Sequence, residues 1–243
     1  MAGAVGGVDR RALLGVGALA LGGVALWRTV GRPGVPELAA RRRGDLVYLE
    51  QDGGADLTRA LDLAMAGDEP ASTTAVDRAA VEAGAGAQRL GDAGPRLVAF
   101  FDYRCPACRR HATALRDGAG AGRFRLVVRE WPILGEPSVL AARAALAAAA
   151  QGAYWAFHAD LMATAFVPTA GLVDDLAERH GLDRDRLHAD MAGAAVARAL
   201  ARNAALAGGL GGVGTPLYVV DGVVVAGGWS PAVLLRLAER HAV

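Results

Sequence analysis

Two apolar runs in the middle of the chain predict buried strands, at residues 97–101 and 124–131. Short apolar runs bounded by polar or breaking residues are typical of strands buried on both faces. Pro132 ends the second run, because proline cannot donate a hydrogen bond to a sheet. Between the two runs, residues 105–115 have helical spacing, which ends at Asp117 and Gly118. The pattern therefore predicts a strand–helix–strand unit.

The chain beyond Pro132 has no strand pattern until about residue 215. Helical patterns occupy this stretch, at 138–151, 154–164, 171–180, 184–191 and 194–210. Strands are then predicted at 215–220 and 223–226, joined by Asp221-Gly222, a dipeptide that favours a two-residue hairpin turn. Ser230 and Pro231 can begin a last helix that runs to about residue 241.

The N-terminal residues follow a different pattern. Arg10 and Arg11 precede an uncharged apolar run at 12–27, which is shorter than the roughly 20 residues of a comfortable membrane span. Basic residues before a short apolar run predict an export signal or membrane anchor at 1–30, and paired arginines are compatible with the twin-arginine route. A buried N-terminal helix is the alternative, and the sequence leaves cleavage open.

Residues 31–94 are predicted to be a linker and an N-terminal extension. The stretch 33–43 is rich in Pro, Gly and Arg, as linkers are. A short strand is predicted at 45–51 and a helix at 57–65. Residues 67–94 contain few large apolar side chains, and we expect surface loop and weak helix there. No chemistry is assigned to this segment.

Charge and cysteine content narrow the possible functions. The net charge is +1, which gives no reason to expect a nucleic-acid partner. The chain has two cysteines, too few for a disulfide framework. They form the motif Cys105-Pro106-Ala107-Cys108 at the predicted junction of strand and helix, which is where a redox dithiol is expected. The sequence predicts no cofactor.

Three segments together resemble the DsbA-like thiol–disulfide oxidoreductases of the bacterial periplasm. They are FFDYRCPACRR at 100–110, REWPILGEPSVLAARAALAAAAQGAYWAFHADLM at 129–162 and GVGTPLYVVDGVVVAGGW at 212–229. The resemblance covers about residues 95–243. It implies an α/β thioredoxin fold with an inserted helical subdomain at about 136–211.

The resemblance also implies roles for individual residues. Cys105 is expected to be the nucleophile, its thiolate stabilised at a helix N-terminus, and Cys108 to resolve the mixed disulfide. Pro106 suits the first helical turn, where its missing N–H costs nothing. Thr215-Pro216 is expected to be a cis bond facing the cysteines, with the backbone before it pairing with substrate. An ordinary trans proline at a strand start is the alternative.

Two residues depart from the family pattern. Ala107 stands where the best-known oxidases have a histidine that stabilises the thiolate, so weaker oxidising power is expected, partly compensated by nearby arginines at 104, 109 and 110. Ala99 stands where thioredoxins have a buried acid. Asp102 and Glu130 are the remaining candidate proton carriers. Glu130 alternatively faces solvent or pairs with an arginine.

The sequence thus predicts an exported enzyme that exchanges a Cys105–Cys108 disulfide with cysteines of reduced or misoxidised secreted proteins, as an oxidase. A membrane partner of the DsbB or vitamin K epoxide reductase type is expected to reoxidise it. The same dithiol used as a reductase or isomerase is the alternative. A metal carrier that binds through Cys105, Cys108 and His111 is a further one. The expected location is periplasmic or otherwise extracytoplasmic.

Overall fold

A computed structural model describes residues 39–43, 46–50, 78–227 and 229–240. The predicted export signal or anchor at 1–30 and the predicted helix at 57–65 lie outside these residues. Among the described helices, none combines the length and apolar character that a bilayer crossing requires.

The strands of the described residues form one mixed sheet. They are β1 (Ala39–Arg43), β2 (Leu46–Glu50), β3 (Ala87–Leu90), β4 (Arg96–Phe101), β5 (Arg125–Glu130), β6 (Leu217–Val220) and β7 (Val223–Ala226). Their spatial order is β1-β2-β7-β6-β4-β5-β3. Central β4 runs parallel to β5 and antiparallel to β6, with Ala99 paired to Tyr218. Strands β4 and β5 are almost wholly buried, which explains their continuous apolar runs.

The helices of the described residues lie close to their predicted positions. They are α1 (Arg78–Glu82), α2 (Pro106–Gly120), α3 (Glu136–Ala149), α4 (Tyr154–Ala163), α5 (Ala170–Arg179), α6 (Arg184–Ala192), α7 (Ala194–Gly209) and α8 (Pro231–Arg240). Helices α3 to α7 separate β5 from β6, and α2 connects β4 to β5. The result is the α/β thioredoxin fold with a helical insertion that the sequence predicted.

The sheet extends into the segment predicted to be linker and loop. Residues 39–43 pair with β2 as a strand, and residues 87–90 pair antiparallel with β5 at the sheet edge. The sequence prediction of loop and weak helix at 87–90 was wrong. Edge strands are often short and polar, and Ala87-Gln88-Arg89-Leu90 has only one large apolar side chain, so its pattern carries little strand signal.

Alanines fill the centre of the insertion. Ala141, Ala144, Ala145 and Ala148 of α3 have at most 1% exposure. Short side chains allow neighbouring helices to approach α3 closely, so a compact helical layer forms without large apolar residues. This layer belongs to the same core cluster as both cysteines, so the insertion packs directly against the dithiol region.

Candidate active site

The two cysteines lie where β4 gives way to α2. Cys105 is the N-cap of α2, and its Sγ accepts a hydrogen bond from the backbone N–H of Cys108 at 3.5 Å. Cys105 retains 6% exposure, whereas Cys108 is fully buried. Both are free thiols. Cys105 is therefore the more accessible of the two sulfurs, and it sits at the positive end of the helix, which favours a thiolate.

The two thiols have opposite acidities. The side chain of Cys108 hydrogen-bonds Cys105, and together with backbone N–H donors it lowers the pKa of Cys105 to about 5, despite the opposing effect of burial. Burial, followed by the hydrogen bond to Cys105, raises the pKa of Cys108 far above its usual range. At neutral pH, Cys105 is therefore a thiolate and Cys108 a thiol.

The Thr215–Pro216 bond faces the dithiol and is cis, as predicted. The Cys105 Sγ lies 3.2 Å from the carbonyl oxygen of Thr215, to which it donates when it is protonated. The Thr215 Oγ1 is buried and has no hydrogen-bond partner among the described residues. The Thr215 side chain lowers the pKa of both cysteines. Its hydroxyl can therefore donate a hydrogen bond to a cysteine thiolate.

Asp102 fixes the turn that leads into Cys105. Its Oδ1 accepts from the backbone N–H of Arg104 and from the hydroxyl of Ser138, both at 2.7 Å. Its Oδ2 accepts from the backbone N–H groups of Ile133 and Leu134 at 2.8 and 2.9 Å. Because both oxygens are engaged, the geometry favours a structural role for Asp102 over the predicted proton transfer.

Glu130 lies in a buried polar cluster beside this turn. It has no exposure, and its Oε1 accepts from the hydroxyls of Tyr103 at 2.7 Å and Tyr154 at 2.5 Å. His158 Nδ1 lies 2.8 Å from the Tyr103 hydroxyl. The alternative in which Glu130 faces solvent or pairs with an arginine is wrong. No hydrogen bond joins Glu130 to either sulfur among the described residues.

The tyrosines of this cluster were not singled out in the sequence. Burial, followed by the charge of Glu130, raises the pKa of both Tyr103 and Tyr154, so both hydroxyls stay protonated and can donate. Tyr154 and His158 are four residues apart and share one face of α4, which is a signal visible in the sequence. Glu130 is brought to them only by the packing of α4 against the sheet.

His111 lies on α2 and contacts a tyrosine, unlike in the alternative of a metal site formed with Cys105 and Cys108. Its Nδ1 lies 2.7 Å from the hydroxyl of Tyr218 on β6. Among the described residues, no group of three or more His, Cys, Asp or Glu side chains is arranged to hold a metal ion. The structure therefore joins His111 to a strand residue that the sequence analysis did not consider.

The arginines beside the dithiol are directed to backbone carbonyls. Arg104 Nη1 donates to Leu134 O at 2.6 Å, and Arg109 Nε donates to Met162 O at 3.2 Å. Hydrogen bonds to the sulfur, rather than these arginines, are the main cause of the low pKa of Cys105. Ala107 is half-buried between the cysteines, and Pro106 is exposed at the first helical position.

Comparisons with known proteins agree with this geometry. The family model of the DSBA-like thioredoxin domain matches residues 96–237. A thioredoxin-like oxidoreductase from Silicibacter pomeroyi is 40% identical with a TM-score of 0.63, covering 68% of this chain and 97% of its own. No curated protein matches the chain.

Two further solved structures share the fold at lower identity. The thiol-disulfide exchange protein α-DsbA2 from Wolbachia pipientis is 19% identical with a TM-score of 0.63, covering 79% of this chain and 100% of its own. The catalytic domain of Proteus mirabilis ScsC is 24% identical with a TM-score of 0.59, covering 70% and 97%. The family match covers more than half of the chain and includes the dithiol and the cis-proline. The chain therefore belongs to the DsbA-like thioredoxin-domain family of thiol–disulfide oxidoreductases.

Proposed function

We propose that this enzyme works as an oxidase, which transfers its Cys105–Cys108 disulfide to cysteines of exported proteins. The observation that carries the proposal is the lowered pKa of Cys105, about 5. A dithiol whose reduced form is stabilised as a thiolate is a stronger oxidant, because the disulfide is then the less favourable state. The hydrogen bonds at the N-terminus of α2 supply this stabilisation even though Ala107 provides no imidazole.

The reaction proceeds in two exchanges. A substrate thiolate attacks Cys105 Sγ of the disulfide, a substrate–Cys105 bond forms, and the Cys105–Cys108 bond breaks with its electron pair on Cys108. Cys108 then takes up a proton, as its raised pKa requires. A second substrate thiolate attacks the substrate sulfur of the mixed disulfide and releases Cys105 as a thiolate, which is a good leaving group at low pKa. The substrate gains a disulfide, and the enzyme gains two electrons.

The surface around Cys105 suits an unfolded polypeptide. Exposed apolar side chains flank the site, namely Ile133 and Leu134 beside the Asp102 turn and Val213 before the cis-proline. Phe166 and Val167, at 81% and 52% exposure, follow the Met162 carbonyl that binds Arg109 of α2. We assign Thr215 and Pro216 the role of positioning an extended substrate strand beside the sulfur.

We assign supporting roles to three further residues. Pro106 starts α2 without an unsatisfied N–H, and Ala107 limits the oxidising power by lacking a histidine. Glu130 holds Tyr103, two residues before Cys105, and so fixes the approach of the chain to the nucleophile. This is a positioning role rather than the proton transfer first predicted.

We propose an extracytoplasmic location and a membrane redox partner. The proposal rests on the basic and apolar pattern at 1–30 and on the similarity, at 24% identity, to a periplasmic thioredoxin-like protein from Salmonella enterica. A quinone reductase of the DsbB or vitamin K epoxide reductase type is the partner class that would reoxidise the dithiol. Recovery of the full-length protein from the cytoplasmic fraction of its host, rather than from an extracytoplasmic fraction, would contradict this location.

A stoichiometric transfer assay tests the proposed activity. The oxidised protein is mixed with a reduced peptide that carries two cysteines, and peptide disulfide is quantified by mass spectrometry. We expect one disulfide transferred per protein, and no transfer by Cys105→Ala or by Cys108→Ser, neither of which can form the internal disulfide. Transfer that is unfavourable at equal concentrations, with ready reduction of peptide disulfides by the reduced protein, would support the reductase or isomerase instead.

A further inference from the structure

The carboxylate of Asp102 joins three segments around the nucleophile. Asp102 is 1% exposed. Its two oxygens accept four hydrogen bonds, from the backbone N–H groups of Arg104, Ile133 and Leu134 and from the hydroxyl of Ser138. Four is also the number of lone pairs that an ionised carboxylate offers. The turn before Cys105, the loop after β5 and the start of α3 are therefore fixed to one another through one side chain.

The loop after β5 presents two apolar side chains, and its backbone is held from the turn before Cys105. Asp102 Oδ2 accepts from the N–H groups of residues 133 and 134 at 2.8 and 2.9 Å. Arg104 Nη1 donates to the carbonyl oxygen of residue 134 at 2.6 Å. The side chains of Ile133 and Leu134 remain 40% and 41% exposed. These two side chains form an apolar ledge whose backbone is fixed in place.

The ledge lies close to the reacting sulfur. The backbone N–H of Cys105 donates to the carbonyl oxygen of Asp102 at 3.1 Å, which closes a four-residue turn whose ends lie within about 7 Å. The carboxylate that holds the ledge stands at the start of this turn, and the nucleophile stands at its end. An extended polypeptide advances about 3.5 Å per residue. Residues next to a cysteine bound to Cys105 are therefore the ones that can contact the ledge.

The loop before the cis-proline packs against the same segment. Trp131, two residues before the ledge, donates its backbone N–H to the carbonyl oxygen of Phe101 at 2.8 Å. A Cβ at Gly212 would lie 2.9 Å from Trp131 Cη2, so glycine is what allows the two loops to meet. Three residues later, the carbonyl oxygen of Thr215 lies 3.2 Å from Cys105 Sγ. The ledge is therefore continuous with the surface that surrounds the exchange site.

We propose that Asp102 is a positioning residue for substrate selection. It holds the ledge so that an apolar side chain, next to the reacting cysteine of the substrate, packs on Ile133 and Leu134. An apolar occupant is favoured over an acidic one because the guanidinium of Arg104, the cation beside the ledge, is already engaged by the carbonyl oxygen of Leu134.

This inference rests on the dithiol exchange of the proposed function, but the two can fail separately. A mixed disulfide at Cys105 forms whether the enzyme oxidises or reduces its substrate. Selection at the ledge therefore operates in either direction of electron flow. A low reduction potential would contradict the oxidase and leave the ledge intact, whereas an oxidase without peptide selection would contradict the ledge alone.

Formation of a peptide adduct measures the selection. In a Cys108→Ser background, the Cys105 thiolate attacks the peptide sulfur of a peptide–thionitrobenzoate mixed disulfide. The Cys105–peptide bond forms, and thionitrobenzoate leaves with the electron pair of the broken bond. Two peptides of equal charge are compared, with the cysteine flanked by leucine or by serine. We expect the leucine peptide to reach its half-maximal rate at a concentration at least about fivefold lower, because its apolar surface is removed from water.

Substitutions at the ledge and at its support should abolish this preference. Leu134→Ser removes apolar surface, and Asp102→Ala removes the acceptor of both ledge N–H groups. In each, we expect the half-saturating concentrations of the two peptides to lie within twofold of each other. Asp160→Ala is the matched control, because Asp160 is a carboxylate bonded to Arg179 and His180 in the insertion. This control should keep the full preference.

The maximum rate separates selection from damage to the turn, since a displaced sulfur slows both peptides alike. Equal half-saturating concentrations in the Cys108→Ser protein, or a full preference in Leu134→Ser, would overturn the proposal. So would Asp102→Ala if it lowered both maximum rates equally and kept the preference. A dimer that Leu134→Ser dissociates in sedimentation, without any peptide preference, would assign the ledge to a second copy instead. Leu134 is an exposed position, so its variant decides the question even if Asp102→Ala does not fold.

Discussion

At the scale of single residues, the site is defined by a difference between two otherwise identical side chains. Hydrogen bonds at the N-terminus of a helix lower the pKa of Cys105, whereas burial raises the pKa of Cys108, three residues later. Their opposite pKa shifts follow from position alone. The sequence identified both residues, because the motif and its place between strand and helix are local features. The partners of Glu130 and His111 were not predicted, since residues far apart in sequence supply them.

The low pKa of Cys105 predicts how the stability of the reduced protein depends on pH. Its folded pKa, about 5, lies below its unfolded value near 9, so between these values the unfolded state binds more protons. The stabilisation from the Cys105 thiolate is therefore complete above about pH 9 and is lost as the pH falls through about 5. We expect the Tm of the reduced protein, relative to the oxidised protein, to rise from pH 5 to pH 8.

Matched thermal scans of the two redox forms measure this difference, and the oxidised form corrects for the titrating groups other than the two cysteines. The Cys105→Ser variant, which cannot form the disulfide, should show no rise in Tm relative to the oxidised wild-type protein. A reduced-minus-oxidised Tm difference that is flat with pH, or that falls as pH rises, would contradict a thiolate at Cys105.

At the scale of elements, β5 connects two buried polar systems on opposite faces of the sheet. Glu130 faces the Tyr103 cluster, whereas Arg129, also with no exposure, faces α1 and α7. The Arg129 guanidinium donates to Asn203 Oδ1 and to backbone carbonyl oxygens of residues 80, 81, 83 and 85. It thereby ties the segment around α1 to the sheet. Alternation along a strand accounts for the opposite directions of the two side chains.

Substitutions at these neighbours should therefore have separable effects. Arg129→Leu leaves buried carbonyls without their donor, and we expect a loss of roughly 3–5 kcal/mol in the free energy of unfolding, with the Cys105 pKa unchanged. Glu130→Gln removes the charged acceptor of Tyr103, and we expect a loss of roughly 1–3 kcal/mol together with a shifted Cys105 pKa, because Tyr103, two residues before the nucleophile, is no longer held in place. Urea unfolding and the pH dependence of alkylation by iodoacetamide measure the two quantities.

Arg125→Leu is the matched control on the same strand, because the Arg125 side chain makes a more exposed hydrogen bond to Gly94 O. We expect its effect on unfolding to be within about 0.5 kcal/mol. Two results would contradict the division of β5 into two independent faces. One is an equal loss in the free energy of unfolding for Arg125→Leu and Arg129→Leu. The other is a Cys105 pKa that shifts with Arg129→Leu but not with Glu130→Gln.

At the scale of the whole molecule, the sequence was most informative where the signal was local. The helices of the insertion, the β6–β7 hairpin and the central strands carry strong periodicity or turn chemistry, and all were predicted close to their observed bounds. Strands β1 and β3 were missed, because their short polar sequences acquire strand structure only by pairing with β2 and β5. Arg129 was missed for a related reason, since its carbonyl partners lie more than forty residues away.

The architecture places the dithiol at the junction of β4 and α2, in the same apolar core cluster as the helical insertion. Such an arrangement serves exchange in either direction, so the direction depends on the relative stability of thiolate and disulfide. Whether the chain is an oxidase therefore depends on an equilibrium constant.

The reduction potential of the Cys105–Cys108 pair, measured by equilibration with glutathione at pH 7, distinguishes an oxidase from a reductase. Cys108→Ser, which cannot form the internal disulfide, gives the baseline. We predict a potential nearer to about −120 mV, the value of a strong dithiol oxidant, than to thioredoxin's value of about −270 mV. A potential near −270 mV would contradict the oxidase and favour a reductase.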